Sequence, residues 1–160
     1  MPDASGRRSP VGSGDSCAGK PVEPRITIHD LLAAARSRID RVRPEDVAAE
    51  MRRGAVLVDI RSEPQRHRDG ELPDAIRHPR NVLEWRVDPA SGYADPALSS
   101  DLRRRIILVC HEGYQSSLAA ATLQEIGFEN ATDLVGGFIA WRAAGLPIER
   151  VARNDQAFTT

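Results

Sequence analysis

Two largely apolar runs without polar alternation limit the folds available to this chain. They are AVLVDI at residues 55–60 and RIILVC at residues 105–110. Side chains of a strand point alternately to its two faces, so a run without polar alternation predicts a strand buried on both. A helical pattern lies beside each run, at residues 44–53 before the first and at 116–126 after the second. This alternation predicts an α/β fold, a small and mainly parallel β-sheet flanked by helices on both faces.

The remaining segments continue the alternation. ATDLV at 131–135 predicts a third buried strand and GGFIAWRAAG at 136–145 a helix after it, whereas AIRHP at 75–79 predicts a short strand stopped by its proline. Residues 61–75 carry a mixed-sign charge run and predict a solvated loop. Residues 81–104 contain turn signals and predict irregular chain with short helical turns.

An amphipathic pattern precedes these elements. Within residues 27–39, apolar side chains recur at helical spacing, at Ile28, Leu31, Leu32, Ala35 and Ile39. Thr27 suits the N-cap, and Asp30 suits the first turn, where a negative charge meets the positive end of the helix dipole. We therefore expect an N-terminal helix within residues 25–40 that packs on the main domain through this stripe.

Both ends of the chain predict tails. Residues 1–24 contain four glycines, four prolines and four serines, and no aromatic residue. Such a segment buries too little apolar surface to offset the entropy lost on ordering, so we expect a disordered N-terminal tail in which Cys17 is an exposed, incidental thiol. The main domain is expected at residues 41–150, followed by a C-terminal tail at 151–160.

Composition narrows the classes of function. The 160 residues carry a formal net charge of −1, which favours neither a nucleic-acid partner nor binding to a membrane surface. No apolar run approaches the roughly 18 residues of a membrane-spanning helix. Two cysteines make no disulfide framework and fit a reducing, cytoplasmic setting. We predict no metal and no cofactor, since His67 and His78 show no metal-ligand spacing with Cys110.

Cys110 ends the second apolar run, where a parallel sheet usually binds its ligands. A short loop follows it, and a helix starts near Ser116. Gly113 permits a backbone conformation closed to other residues, so loop N–H groups can converge on the sulfur while the helix dipole adds positive potential. Both effects stabilise a thiolate, the nucleophilic form of cysteine, or an anionic persulfide. From its position alone, a buried structural cysteine is an equally good interpretation.

Five short motifs support the reactive interpretation. They are LVDIR at 57–61, GELPDA at 70–75, HPRNVLEW at 78–85, VCHEGYQSS at 109–117 and VGGFIAWRAAGLPIE at 135–149. In this order they resemble the rhodanese family of sulfurtransferases, over about residues 41–150. The resemblance implies a rhodanese-like fold and an enzyme that moves a sulfane sulfur from a donor to a thiophilic acceptor through a Cys110 persulfide. It also implies an anion-binding cradle around that sulfur, formed by His111, Glu112, Gly113, Tyr114, Gln115 and Ser116.

The loop departs from many thiosulfate-using members, which carry a basic residue after the cysteine and a Thr or Arg at the loop's end. His111 and Gln115 hold those places here, and Glu112 adds a negative charge. A dianionic donor such as thiosulfate should therefore be less favourable than a persulfide or another sulfane sulfur. Arg80 could restore some positive charge if its segment packs beside the loop.

Other polar and aromatic residues have mainly structural interpretations. Asp59 and Arg61 are expected to support the site, Asp59 by accepting loop N–H bonds and Arg61 in a surface salt bridge. His111 could tune the thiolate or shuttle a proton, or it could be a solvent-facing loop residue. Trp85 and Trp141 are expected in the core or a pocket wall.

Alternative functions stay open at this point. A cysteine phosphatase or arsenate reductase holds its oxyanion with an Arg at the position where Ser116 stands here, so this alternative is weaker. A non-catalytic rhodanese-like domain would serve in binding or regulation, and a sulfur carrier would hand its persulfide to one partner protein. For the enzyme, the expected partners are a small-molecule sulfur donor and an acceptor that is a small molecule, a low-molecular-weight thiol or a protein.

Overall fold

The computed structural model describes residues 24–150 and shows a four-stranded sheet whose strands are all parallel. The strands are β1 (Val56–Asp59), β2 (Ile76–Arg77), β3 (Ile106–Val109) and β4 (Ala131–Asp133). Their spatial order is β2-β1-β3-β4, and in the central pair Val56 lies opposite Ile106 and Asp59 opposite Val109. The carboxyl ends of the strands therefore lie at one edge, which is where Cys110 emerges.

The two central strands separate two apolar cores. Val58 and Leu108 point into one core, and Leu57 and Val109 point into the other. All four side chains are fully buried. Burial on both faces explains why neither strand shows polar alternation in the sequence.

Within the described residues, seven α-helices flank the sheet. They are α1 (Ile28–Arg38), α2 (Val47–Arg52), α3 (Glu63–Asp69), α4 (Leu83–Val87), α5 (Pro96–Ser99), α6 (Gln115–Glu125) and α7 (Gly137–Ala143). Short 3₁₀ turns lie at Pro44–Asp46, Arg80–Val82 and Pro89–Ser91. The predicted α/β fold, with a parallel sheet covered by helices, is confirmed.

The first helix follows its predicted start more closely than its predicted packing. Thr27 and Asp30 form a capping box, in which each side chain accepts the other residue's backbone N–H. Ala35 is buried where α1 packs against α6, but Ile28 is 59% exposed and Leu31 is 51% exposed. The predicted stripe is therefore wrong in the first turn, where Ile28 lines an open apolar groove between α1 and Leu118 of α6.

The sequence pattern predicts a loop over the charged segment at residues 61–75, but the structure shows a helix within it. It contains α3, which begins at a capping box between Ser62 and Gln65 and has Pro64 in its first turn. No residue of α3 is fully buried, so this helix has no apolar stripe to reveal its period. The capping signature was the available signal.

The two tryptophans differ from one another. Trp141 is buried and its Nε1–H donates to the Pro147 carbonyl at 2.8 Å. Trp85 is 56% exposed, so it is not in the core, but it lines a shallow surface pocket away from Cys110, as a wall residue would. It lies on the short helix α4, where Leu83 and Val87 take the buried positions.

The predicted tails, with Cys17, lie outside the described residues except for Pro24. Their disorder and the cytoplasmic location stay predictions. Over residues 24–150, no helix is both long enough and apolar enough to cross a membrane.

Candidate active site

The Cys110 sulfur is held beneath a tight loop at the carboxyl edge of the sheet. Cys110 follows β3 directly, and only 1% of the residue is exposed. The Gly113 N–H donates to Sγ at 3.0 Å, and the thiol donates to Ser116 Oγ at 3.1 Å. Within residues 24–150, the N–H groups of Tyr114 and Gln115 have no hydrogen-bond acceptor. The loop therefore presents one N–H to the sulfur and keeps others available for an anion.

The loop packs on the start of α7 with no space for side chains. Gly113 has a φ of +79°, and a Cβ there would lie 2.8 Å from the Gly136 nitrogen. A Cβ on Gly137 would lie 2.7 Å from the Gly113 nitrogen and 2.9 Å from that of Glu112. Such distances are far below van der Waals contact, so glycine at 113 and 137 lets the loop sit on the glycine pair of the fifth motif.

A buried carboxylate lies on the other side of Ser116. Asp133 Oδ2 accepts from the Ser116 hydroxyl at 2.8 Å and from the Ser117 hydroxyl at 2.7 Å. Arg41 donates from Nε to Oδ1 at 2.7 Å and from Nη2 to Oδ2 at 3.1 Å. The Asp133 side chain is fully buried, and this bidentate ion pair with two hydroxyl donors satisfies its charge. Ser116 thus joins the Cys110 thiol to an ionised carboxylate.

A shallow pocket of about 260 Å³ opens at the sulfur. It is lined by Gln65, Cys110, His111, Glu112, Tyr114 and Gln115. Four of the predicted cradle residues line it directly, whereas Gly113 and Ser116 lie buried behind it. No Arg or Lys is among these lining residues.

His111 packs between the pocket and the core that contains Leu57, Val109 and Phe138. Its ring stacks on Phe138, with centroids 6.3 Å apart and planes inclined by 15°. Nδ1 lies 3.8 Å from Asp69 Oδ2. The hydrogen bond from Arg68 is the main cause that lowers the pKa of Asp69, and the charge of His111 contributes less. The side chain of His111 is 24% exposed, so it is neither fully solvent-facing nor sealed, and its proton-shuttling role stays a prediction.

Arg61 is not in a surface salt bridge. Its side chain is fully buried and donates from Nη2 to Asp59 Oδ2 at 2.7 Å and to the Gly70 carbonyl at 2.9 Å. Its guanidinium carbon lies 3.9 Å from the centre of the Phe138 ring, and the same ring stacks against His111. Asp59 also accepts the Arg61 backbone N–H at 3.0 Å. The sequence interpretation failed because arginine is rarely buried unless it is paired in this way.

Arg80 pairs away from the sulfur. Its Nη1 donates to both carboxylate oxygens of Glu84, at 2.7 and 2.9 Å. It is not among the residues that line the pocket. Its position therefore does not favour the charge-restoring role considered for it.

Comparison with known proteins decides the family. The family model described as "Rhodanese-like domain" matches residues 43–144. The chain belongs to the rhodanese-like domain family. The predicted resemblance is confirmed, and the matched segment lies inside the expected main domain.

Named relatives of this rhodanese-like chain agree on the class of reaction. The thiosulfate sulfurtransferase GlpE of Pseudomonas fluorescens is 35% identical over 120 residues, which is 75% of this chain and 99% of that protein. A sulfurtransferase of Allochromatium vinosum is 33% identical over 93 residues, or 58% of this chain and 77% of that protein. The predicted class, a rhodanese-type sulfurtransferase, is confirmed.

A solved structure of a Rhodopseudomonas palustris protein of unknown function is also similar. It is described as a possible tyrosine phosphatase. The two chains are 36% identical with a TM-score of 0.72, over 82% of this chain and all of that one. The rhodanese-like fold is therefore shared over most of the described residues.

Sequence reasoning missed several residues around the rhodanese-like site. Gln65 reaches the pocket from the unpredicted helix α3. Asp133 ends β4, next to β3, so a comparison of strand ends could have found it. Arg41 meets Asp133 across 92 residues of sequence, and no local pattern signals that contact.

Proposed function

We propose that Cys110 is the catalytic residue of this sulfurtransferase and carries the transferred sulfur as a persulfide. The observation that supports this most is that Cys110 lines the pocket and its sulfur accepts the Gly113 N–H, beside loop N–H groups that have no acceptor within residues 24–150. Such donors stabilise a thiolate and, once a second sulfur is added, the terminal persulfide anion. The N-terminus of α6 adds its partial positive charge.

The transfer takes two displacements. The Cys110 thiolate attacks the outer sulfur of the donor, the donor's S–S bond breaks, and its electron pair leaves with sulfite or a thiolate. The acceptor then attacks the outer sulfur of the persulfide, and the Cys110 thiolate is regenerated. Each step forms one bond to sulfur and breaks one, so no oxidant or reductant is consumed.

The direction of the Ser116 hydrogen bond depends on the charge of the Cys110 sulfur. It accepts from the thiol and donates its single proton to Asp133. When the sulfur becomes anionic, the hydroxyl turns and donates to it instead. Asp133 then keeps its bonds from Ser117 and Arg41, so it loses one hydrogen bond but stays paired.

Removal of the sulfur nucleophile tests the assignment. In Cys110→Ser, we expect sulfur transfer to fall to background, since a hydroxyl is far less ionised and holds no persulfide. Cys17→Ser is the matched control and should keep the wild-type rate, measured with a panel of donors and acceptors. Retained transfer in Cys110→Ser would exclude the mechanism.

The donor is proposed to be a low-charge sulfane sulfur, such as a persulfide, rather than thiosulfate. Relatives are named for thiosulfate, but the pocket lining here includes Glu112 and, within residues 24–150, no Arg or Lys. A unit charge about 6 Å from another interacts by roughly 0.7 kcal/mol in water-like surroundings and by roughly 3 kcal/mol at an effective dielectric of 20. The acceptor is a small molecule, a low-molecular-weight thiol or a protein thiol.

Reversal of the Glu112 charge tests the donor. Glu112→Lys turns a repulsion into an attraction, so the interaction energy changes by twice the lower of those values. The kcat/KM for thiosulfate should therefore rise at least about tenfold at low salt. Added salt should shrink the gain, and a low-charge persulfide donor should respond less. Glu129→Lys makes the same change of net charge at an exposed residue that does not line the pocket. If the two variants behave alike, Glu112 does not select the donor.

The phosphatase alternative has less support. A cysteine phosphatase needs a guanidinium fork on the phosphate oxygens, and Ser116 occupies that position, committed to Cys110 and Asp133. Hydrolysis of an aryl phosphate by wild type but not by Cys110→Ser would favour the phosphatase.

A further inference from the structure

Two arginines bind one carbonyl of the active-site loop. The Gly113 carbonyl oxygen accepts from Arg36 Nη2 at 2.8 Å and from Arg41 Nη2 at 3.1 Å. Arg36 belongs to α1 and Arg41 to the segment that follows it. Gly113 is also the residue whose N–H donates to the Cys110 sulfur. The two cations therefore fix the loop at the peptide next to the sulfur contact.

The planar peptide between Gly113 and Tyr114 links the arginine contacts to the pocket. In a planar trans peptide, the carbonyl and the N–H of the next residue point in opposite directions. With the Gly113 oxygen held by the arginines, the Tyr114 N–H must point away from them. That N–H has no acceptor within residues 24–150, and Tyr114 lines the pocket. The arginines thus orient and polarise a donor for an anion bound beside Cys110.

Arg36 brings a charge that no carboxylate of the described residues balances. Its Nε donates to Ser117 Oγ at 3.2 Å, and its guanidinium lies 5.4 Å from the centre of the Tyr114 ring. Within the described chain it forms no ion pair, whereas Arg41 is paired with Asp133. A partly buried, uncompensated cation behind the loop favours negative charge in the cradle.

We infer that Arg36 and Arg41 are positioning residues of the sulfur site, which makes α1 part of the active site. Both precede the segment that the rhodanese family model matches, residues 43–144. They act through Gly113, orienting the N–H groups that bind the sulfur anion. The inference rests on the proposed role of Cys110, but it concerns anion binding beside that sulfur and can be measured without sulfur transfer.

Alkylation of Cys110 by an anionic and a neutral reagent gives that measurement. Iodoacetate brings a carboxylate into the cradle, whereas iodoacetamide brings a neutral group of similar size. The ratio of the two rates, measured at Cys110 by peptide mapping in the full chain, reports anion binding and cancels changes in thiol accessibility. In Arg36→Met the ratio of the iodoacetate rate to the iodoacetamide rate should fall about threefold to tenfold. The fall should be smaller than if both arginines were lost, because Arg41 still donates to the Gly113 carbonyl oxygen.

Arg38→Met is the matched control on the same helix. Arg38 pairs with Glu125 of α6 at 2.9 Å and, within the described structure, forms no hydrogen bond or ion pair with the active-site loop. Its ratio should equal that of wild type, and Arg36→Lys should recover part of the loss because it keeps a charged donor. Melting temperatures of the three variants show whether each is folded.

Two results would overturn the inference. The first is an unchanged ratio in Arg36→Met, which includes an equal change of both alkylation rates, and the second is an equal fall of the ratio in Arg38→Met. Failure of the proposed catalytic role of Cys110 looks different. Sulfur transfer would then persist in Cys110→Ser, while the alkylation ratio would still respond to Arg36→Met.

Discussion

Replacement of the buried Arg61 should destabilise the protein severely. In Arg61→Met, Asp59 keeps only the backbone N–H at position 61, and the Gly70 carbonyl and Phe138 ring lose their guanidinium partner. Breaking a fully buried ion pair by removing one partner costs about 3–5 kcal/mol, because the other charge stays buried and unpaired. For a domain of this size that corresponds to a fall of about 10–20 °C in the melting temperature.

Thermal and chemical denaturation measure this loss. Arg53→Met, which removes an exposed partner of Glu50, should leave the melting temperature nearly unchanged. The double variant Asp59→Asn/Arg61→Met should be more stable than Arg61→Met alone, since an asparagine oxygen still accepts the backbone N–H and no charge is left buried. A loss of less than about 1 kcal/mol in Arg61→Met, or no recovery of stability from the second substitution, would contradict the expected cost of breaking this buried ion pair.

Two further substitutions probe the loop and the acid stability. Gly113→Ala should lose both stability and sulfur transfer, because its Cβ meets the Gly136 nitrogen at 2.8 Å; Gly92→Ala has the same φ of +79° with open space, so it should lose less stability and no activity. The hydrogen bond from His78 lowers the pKa of Asp95, so its contribution to stability is present above the ordinary pKa of aspartate and lost as the pH falls through the lowered value. Wild type should therefore be more stable than Asp95→Asn near pH 6, and the difference should narrow towards about pH 3, as followed by denaturant midpoints; a constant difference would contradict this.

The sequence predicted the sheet because its central strands are buried on both faces, and such strands leave a continuous apolar run. It did not predict α3, whose exposed surface has no apolar period and whose local signals are limited to its start, at Ser62, Pro64 and Gln65. Arg61 was misplaced for a related reason. Its burial depends on the Gly70 carbonyl and the Phe138 ring, which only the folded chain brings to it.

The position of the sulfur could be predicted, but its support could not. Cys110 and its loop are contiguous in the sequence and carry a family motif. The residues behind the loop come from separate elements, with Arg36 lying 77 residues and Arg41 72 residues from Gly113 along the chain. Contacts of that kind leave no spacing to read in one sequence. They follow from the strand order, which brings the end of β4 beside Cys110.

Mass spectrometry of the full chain after exposure to a sulfane-sulfur donor shows directly whether Cys110 carries the transferred sulfur. We expect the addition of one sulfur atom at Cys110, located by peptide mapping, and its loss when a thiol acceptor is added. Cys110→Ser should gain no sulfur under the same conditions. Sulfur addition that persists in Cys110→Ser, or an unmodified Cys110 with every donor tested, would contradict the claim that this residue carries the sulfur.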